Sequence, residues 1–279
     1  MWIADKIYYQ NSSSFTRAYQ GDELIWEQPT SNYITFTSLV EGALTPPSEI
    51  SLGSLATGQT IEYSYDGNNW SGMTQQTVIE VENGQSVYIR GMLTSDNTDS
   101  NYTNFNLTGK FKVSGNINYL WNKDNPDSLL KNWCGFNLFR RCTALIDASE
   151  LELPSMTLAE RCYSCMFIYD SGLTEAPALP ATTMANDCYR GMFQDCSGLT
   201  TAPELPAPTL APRCYRSMFY ACQNLSYIKC LATNISATDC TIYWTEKVKS
   251  SGTFVKASSM SSWRRGNSGI PSGWTIENA

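Results

Sequence analysis

Residues 188–222 read CYRGMFQDCSGLTTAPELPAPTLAPRCYRSMFYAC, and the order Cys-Tyr-Arg, Met-Phe, Cys that starts this stretch also ends it. Successive intervals of 28, 26, 26 and 26 residues separate Cys134, Cys162, Cys188, Cys214 and Cys240. At fixed offsets after the first four cysteines stand Phe139, Phe167, Phe193 and Phe219, and then Leu145, Leu173, Leu199 and Leu225. Self-similarity at this period is typical of repeats that stack on one another.

Within one copy, the apolar residues fit one face of a helix. They are Cys188, Tyr189, Met192, Phe193 and Cys196. Asn186 or Asp187 suits the N-cap, and Pro212 suits the first turn in the next copy. An extended segment over 199–205 then ends at Pro206. The sequence therefore predicts that each repeat is a short helix followed by an extended segment, which stack as an α/β solenoid.

The repeat cysteines allow three interpretations. Cys188 and Cys196 would lie about 12 Å apart on a helix, too far for a disulfide. Asp170 stands where the other copies have Cys142, Cys196 and Cys222, which breaks any pairing through that column. Free cysteines that act as small buried hydrophobes are therefore favoured over one or two disulfides and over a metal site.

Cys162 and Cys165 form a C-x-x-C pair at the start of a predicted helix. Such a pair is typical of redox chemistry, because a helix N-terminus stabilises a thiolate. However, Cys165 shares its column with Asn137, Gly191 and Ser217, and no βαβ pattern surrounds the pair. A structural role is favoured.

The sequence before the repeats has a different pattern. Alternating apolar and polar residues with frequent turn signals over 31–115 predict an all-β, immunoglobulin-like sandwich. Shorter alternating stretches predict two or three strands in a β segment over 1–30. The predicted domains are this segment, the sandwich, a connector over 116–131, four repeats over 132–245 and a C-terminal cap over 246–279.

One turn of the predicted sandwich has a second interpretation. Residues 64–70, SYDGNNW, resemble an Asp-box turn, in which Ser, Asp and Gly close a hairpin above a Trp, but the motif is one residue short. An ordinary hairpin with Asp-Gly in the turn is favoured over a sialidase-like blade.

Composition excludes several classes of function. The formal net charge is −7, which disfavours nucleic acid and anionic membranes as partners. The chain has no histidine, the usual general base and zinc ligand. No window approaches the ~20 apolar residues of a membrane span. The N-terminus lacks the pattern of a secretory signal. We therefore expect neither an enzyme nor a cofactor or metal site, and we expect synthesis in a cytoplasm.

The repeats resemble a known family. Residues 192–217, MFQDCSGLTTAPELPAPTLAPRCYRS, and 218–240, MFYACQNLSYIKCLATNISATDC, are similar to the BspA-like leucine-rich repeats of Bacteroidetes surface proteins and of phages that infect these bacteria. In that pattern Cys-x-x-Leu opens the strand; here it starts at Cys142, Cys196 and Cys222, and the second copy departs at Asp170. The resemblance covers 132–279 well and 31–115 loosely. Together with the patterns above, it implies a mixed fold in which an N-terminal all-β segment and an Ig-like sandwich precede a leucine-rich-repeat solenoid with a C-terminal cap.

The resemblance also implies a function. FTRAYQGDELIWE, residues 15–27, looks like the β-element that opens many phage structural proteins. We expect a virion head or tail fibre or appendage that attaches through its N-terminal segment to other virion proteins and adheres to a host surface glycan or protein. By analogy with such fibres we expect a homo-oligomer, with a trimer as the model. The alternatives are a bacterial cell-surface adhesin and, less favoured, a glycan-active or thiol-redox enzyme.

Overall fold

The computed structural model describes residues 7–9, 17–20, 23–27, 32–39, 46–93, 97–126 and 130–279. The chain divides into two compact units, Met1–Asn32 and Tyr33–Ala279. The backbone of the first unit forms an antiparallel sheet of β1 (Ile7–Tyr9), β2 (Arg17–Gln20) and β3 (Glu23–Glu27), with β2 in the middle. The other residues of the predicted segment 1–30 lie outside the described residues.

The second unit begins with two packed sheets. Their strands are β4 (Ile34–Ser38), β5 (Ser48–Ser54), β6 (Thr60–Ser64), β7 (Ser71–Met73), β8 (Val78–Val81), β9 (Ser86–Met92), β10 (Asn104–Thr108) and β11 (Phe111–Asn116). In one sheet β5 lies between β10 and β8; in the other the order is β11-β4-β9-β6-β7. Alternate residues of β4 are buried, and Phe36 contacts Phe105 of the opposite sheet at 5.2 Å between ring centroids.

The first repeat extends the larger sheet. β12 (Leu145–Glu152) pairs in parallel with β11, and the four-residue helix α1 (Asn118–Trp121) buries Leu120 nearby. Phe139 of the first repeat stacks on Phe105 at 5.7 Å. One hydrophobic core therefore runs without interruption from the sandwich into the repeats.

Successive repeats place like residues on like. The rings of Phe139, Phe167, Phe193 and Phe219 stack with centroids 5.3, 5.5 and 5.8 Å apart. Parallel bridges on the other side of the repeat join Thr157 to Thr183 and Thr183 to Thr209. We call this arrangement, residues 132–247, the repeat stack.

The predicted α/β leucine-rich-repeat solenoid is wrong: the described structure consists of strands and turns, and its one helix is α1, outside the repeats. In place of each predicted helix the chain makes consecutive turns. Asp187, Gly191 and Asp195 have φ of 54°, 58° and 61°, whereas a right-handed helix requires negative φ throughout. Asp187 is therefore not an N-cap.

The backbone hydrogen bonds explain why the turns replace a helix. The N–H of Arg190 donates to the carbonyl of Asp187, three residues back, but the N–H of Gly191 donates to the carbonyl of Arg216 in the next copy, at 2.8 Å. Met192 and Phe193 repeat this alternation. Every second N–H therefore donates to a carbonyl of the next copy. In an α-helix each N–H would instead donate to the carbonyl of residue i−4 in the same segment.

The C-terminal residues close the stack with a parallel sheet. It consists of β13 (Tyr227–Cys230), β14 (Thr253–Lys256) and β15 (Thr275–Asn278). Trp244 stacks on Trp263 at 5.5 Å and packs against Phe254. These large side chains cover the last copy as the next repeat would.

Candidate functional site: the turn face of the repeat stack

The sequence-predicted repeat positions lie in the interior. The side chains of all thirteen are at most 4% exposed. They are Cys134, Cys162, Cys188, Cys214, Cys240, Phe139, Phe167, Phe193, Phe219, Leu145, Leu173, Leu199 and Leu225. They hold the stack together and are inaccessible to a ligand.

The cysteines are all free thiols. In the second cysteine column, Cys196 donates to the carbonyl of Phe167 at 3.0 Å, and Cys222 donates to that of Phe193 at 2.9 Å. Burial raises the pKa of both thiols. These cysteines are therefore protonated donors that join neighbouring copies. Among the described residues, no three His, Cys, Asp or Glu side chains are grouped so that they could hold a metal ion.

The C-x-x-C pair lacks the environment of a reactive thiol. Cys162 is fully buried, and Cys165 has a φ of 55° in a turn. Burial raises the pKa of both cysteines, although Ser164 and Arg190 oppose the shift at Cys165. Because the thiolate is the reactive form, this geometry favours a structural role.

Asp170 occupies the second cysteine column but makes no hydrogen bond like those from Cys196 and Cys222 to a carbonyl of the neighbouring copy. Its side chain is fully buried, and neither carboxyl oxygen has a hydrogen bond of good geometry. Burial raises its pKa to about 9, although the nearby N–H groups of Gly172 and Leu173 act in the opposite direction. A protonated Asp170 is the form that this apolar column accommodates at neutral pH.

The outward side of the turns, which we call the turn face, carries the arginines of the repeats. The turn segments are 132–141, 160–169, 186–195, 212–221 and 238–247. They contain all six arginines between residues 130 and 250: Arg140, Arg141, Arg161, Arg190, Arg213 and Arg216. Each of these side chains is exposed or half-exposed. The sequence interpretation missed this surface, although Arg190 and Arg216 both stand two residues after a repeat cysteine.

Aromatic rings accompany the cations. The guanidinium of Arg161 lies 4.2 Å from the ring centroid of Trp133, and the ammonium of Lys247 lies 4.9 Å from that of Tyr220. Lys247 also donates to the Tyr220 hydroxyl at 2.7 Å. These contacts hold long cationic side chains against rigid rings, which reduces the conformational entropy lost when a ligand binds.

A buried carboxylate positions two of the arginines. Asp187 accepts hydrogen bonds from Nε and Nη2 of Arg213, at 3.0 and 2.8 Å, and lies 3.8 Å from Nη1 of Arg190. The Asp187 side chain is 1% exposed, whereas those of Arg213 and Arg190 are 35% and 40% exposed. The pair with Asp187 raises the pKa of Arg213. The anion is thus hidden while the cations stay accessible.

In the Asp-box-like turn of the sandwich, residues 64–70, the hydrogen bonds of Asp66 are made within the turn. The Asp66 carboxylate accepts from the N–H groups of Asn68 and Asn69, both at 2.8 Å, and from the Ser64 hydroxyl at 2.9 Å. These donors lower its pKa. Trp70 is covered by the guanidinium of Arg90, 3.8 Å from the ring centroid. The geometry supports an ordinary hairpin.

The chain matches no protein-family model, no curated protein and no solved structure. In the part of the chain that the structure describes, no helix is long and apolar enough to cross a membrane.

Proposed function

We propose that the chain is a non-catalytic subunit of a virion appendage, a head or tail fibre or a related decoration, and that its repeat stack adheres to the host cell surface. The turn face is the observation that carries the adhesion. It presents cations and aromatic rings on a backbone that inter-repeat hydrogen bonds and stacked rings keep rigid. A preorganised surface of this kind suits recognition, because little ordering remains to be done on binding.

The virion part of the proposal rests on the resemblance of the repeats to those of Bacteroidetes phages. The strands within residues 1–30 would join the chain to other virion proteins. Several copies on one particle, as in a trimeric fibre, would multiply weak contacts into firm adhesion.

The ionisable side chains in the interior of the repeat stack support a non-catalytic role. Asp170, Cys188, Cys196 and Cys222 are fully buried, and burial raises the pKa of each and so favours its neutral form. Asp187 is fully engaged by arginines. A nucleophile or a general base has to be both ionisable and accessible, and these groups are not accessible.

Adhesion is tested by measuring how a fluorescently labelled full chain binds to intact Bacteroidetes cells in flow cytometry. The Arg190→Gln/Arg216→Gln variant removes two cations from the turn face. As a matched control, Lys112→Gln/Lys229→Gln removes two cations from β11 and β13, away from the turns. We expect the arginine variant to lose most cell binding and the lysine variant to keep it. Absence of cell binding by the unmodified chain across a panel of such species would refute adhesion.

The virion assignment has a separate test. Antibodies against the chain should label purified phage particles in electron microscopy at a head or tail appendage. Particles that contain no copy of the chain would refute the assignment.

A further inference from the structure

Resting on the proposed function, we infer that the ligand of the turn face is an acidic polysaccharide, a linear glycan with carboxylate or sulfate groups repeated along its length. The two sides of the repeat stack differ in charge. The extended segments, 142–159, 170–185, 196–211 and 222–237, contain six acidic residues, of which Asp170 is buried and protonated, and one basic residue, Lys229. Seven basic residues and five acidic ones lie in the turn segments. Seven of the eight basic residues of the repeat stack thus lie in the turn segments, which favours anionic ligands there.

Two arginines of this face have donors available for such a ligand. Arg190 and Arg216 hold the same position in successive copies, and a backbone hydrogen bond from Gly191 to Arg216 places the copies side by side. Among the described residues the guanidinium of Arg216 has no ion pair or hydrogen-bond partner, and that of Arg190 reaches Asp187 only at 3.8 Å. A guanidinium presents five N–H donors in a planar fork that matches a carboxylate or a sulfate.

The rings of the same face suit a sugar. Tyr169 and Tyr243 are 38% and 46% exposed, and Lys247 holds Tyr220 in place. A tyrosine offers an apolar ring with a polar edge. A pyranose has the same mixed character, with apolar C–H groups on its faces and hydroxyl groups around its rim. Rings and arginines together therefore select a charged glycan over an inorganic anion.

The repeat geometry favours a polymer. Like positions recur along the stack at the 5.3 to 5.8 Å spacing of the phenylalanine column. A linear glycan with one anionic group on each unit can engage arginines of successive copies at once, and linked contacts reinforce each other. Nucleic acid is also a linear polyanion with one charge on each unit, so single-stranded DNA is the competing ligand that the test has to exclude.

The test measures binding of the full chain to immobilised polygalacturonate (carboxylate), dextran sulfate (sulfate), neutral dextran and single-stranded DNA by biolayer interferometry. We expect binding to at least one of the two acidic glycans, weakening as NaCl rises, and none to dextran. Whichever of the two acidic glycans binds shows whether the face recognises a carboxylate or a sulfate. Arg190→Gln/Arg216→Gln should weaken that binding about tenfold, equivalent to ~1.4 kcal/mol. Lys112→Gln/Lys229→Gln, with the same net charge, should bind as the unmodified chain does.

Three results would overturn the inference. Equal losses in both double variants would show a non-specific effect of net charge. Tighter binding to DNA than to either acidic glycan would identify nucleic acid as the ligand. If the unmodified chain bound cells but neither acidic glycan, adhesion would stand and this ligand class would be excluded. If the unmodified chain bound neither glycans nor cells, the proposed function itself would be refuted.

Discussion

The sandwich and the repeat stack bury similar side chains under different backbone rules. In β4, Ile34 and Phe36 face the core because successive side chains of a strand point to opposite sides. In a turn segment, Met192 and Phe193 are buried together and Gln194 and Asp195 face outward. The sandwich thus repeats every two residues and the turn segment every four.

The neighbours of a buried side chain also differ between the two regions. Phe36 contacts three rings from different strands and the first repeat, whereas Phe193 lies between Phe167 and Phe219, its own equivalents. A mixed core can accommodate different shapes, but a column of equivalents requires the same residue in each copy. A departure such as Asp170 therefore affects the copies on both sides of it.

The largest expected effect comes from emptying a column. Phe193→Ala should lower the free energy of unfolding by ~3–5 kcal/mol, as should Phe36→Ala in the sandwich, because both rings are fully buried. Chemical denaturation measures the loss. Gln194→Ala, on the outward side of the same turn, should stay within ~0.5 kcal/mol. A loss below ~1 kcal/mol for Phe193→Ala would contradict the stacked column.

The next largest effect is expected at Asp170, which takes the place of a cysteine in the second cysteine column. Asp170→Cys should restore the thiol of the other copies and stabilise the protein at neutral pH. The raised pKa of Asp170, about 9, means that its carboxyl contributes stability when protonated and that this stability is lost as pH rises. Cys142 and Cys196 are the ionisable groups that interact with it, and their raised pKa values keep them neutral over this range.

The test is the difference in unfolding free energy between Asp170→Cys and the unmodified chain as a function of pH. We expect it to grow by up to ~1.4 kcal/mol per pH unit from about pH 4, where the unfolded carboxyl ionises, toward pH 9. At pH 7 the variant should be more stable by ~2–4 kcal/mol. A difference that stays constant from pH 5 to 8 would show that Asp170 is ionised in the folded protein.

Sequence periodicity predicts the strands of the sandwich because a strand buries every second residue whatever its partners are. It also predicts that the copies stack, since Phe139 and its equivalents recur at one spacing. The local conformation of the turns was predicted incorrectly. Cys188, Tyr189, Met192, Phe193 and Cys196 fit both a helix of 3.6 residues per turn and an exact period of four over so short a stretch.

The signal that separates these two periods lies in the polar residues. Asp187, Gly191 and Asp195 recur every four residues, and Asn137 holds the position of Gly191 in the first copy. Asn, Asp and Gly are the residues that adopt positive φ most readily. The column is incomplete, however, because Cys165 and Ser217 hold the same position with φ of 55° and 54°. Hydrogen bonds between neighbouring copies impose that conformation, and the sequence of a single copy does not reveal them.

The smallest expected effect is the change in stability on Gly191→Ala, and its sign distinguishes a turn from a helix. In a helix interior, Gly191→Ala would raise stability by ~1 kcal/mol, because alanine is the better helix former. At the observed φ of 58° the substitution should instead lower stability by ~1–2 kcal/mol. The added Cβ would also lie 3.2 Å from Sγ of Cys165, a side-chain end that can move.

Gly191→Asn is the matched control for this strain. Asparagine tolerates positive φ and already stands at the equivalent Asn137, where φ is 57°. Chemical denaturation should therefore rank the unmodified chain first, Gly191→Asn close behind and Gly191→Ala last. If alanine proved the most stable of the three, residues 187–195 would be helical and the turn face would have a different arrangement of arginines. The ranking thus tests the backbone on which the proposed glycan site depends.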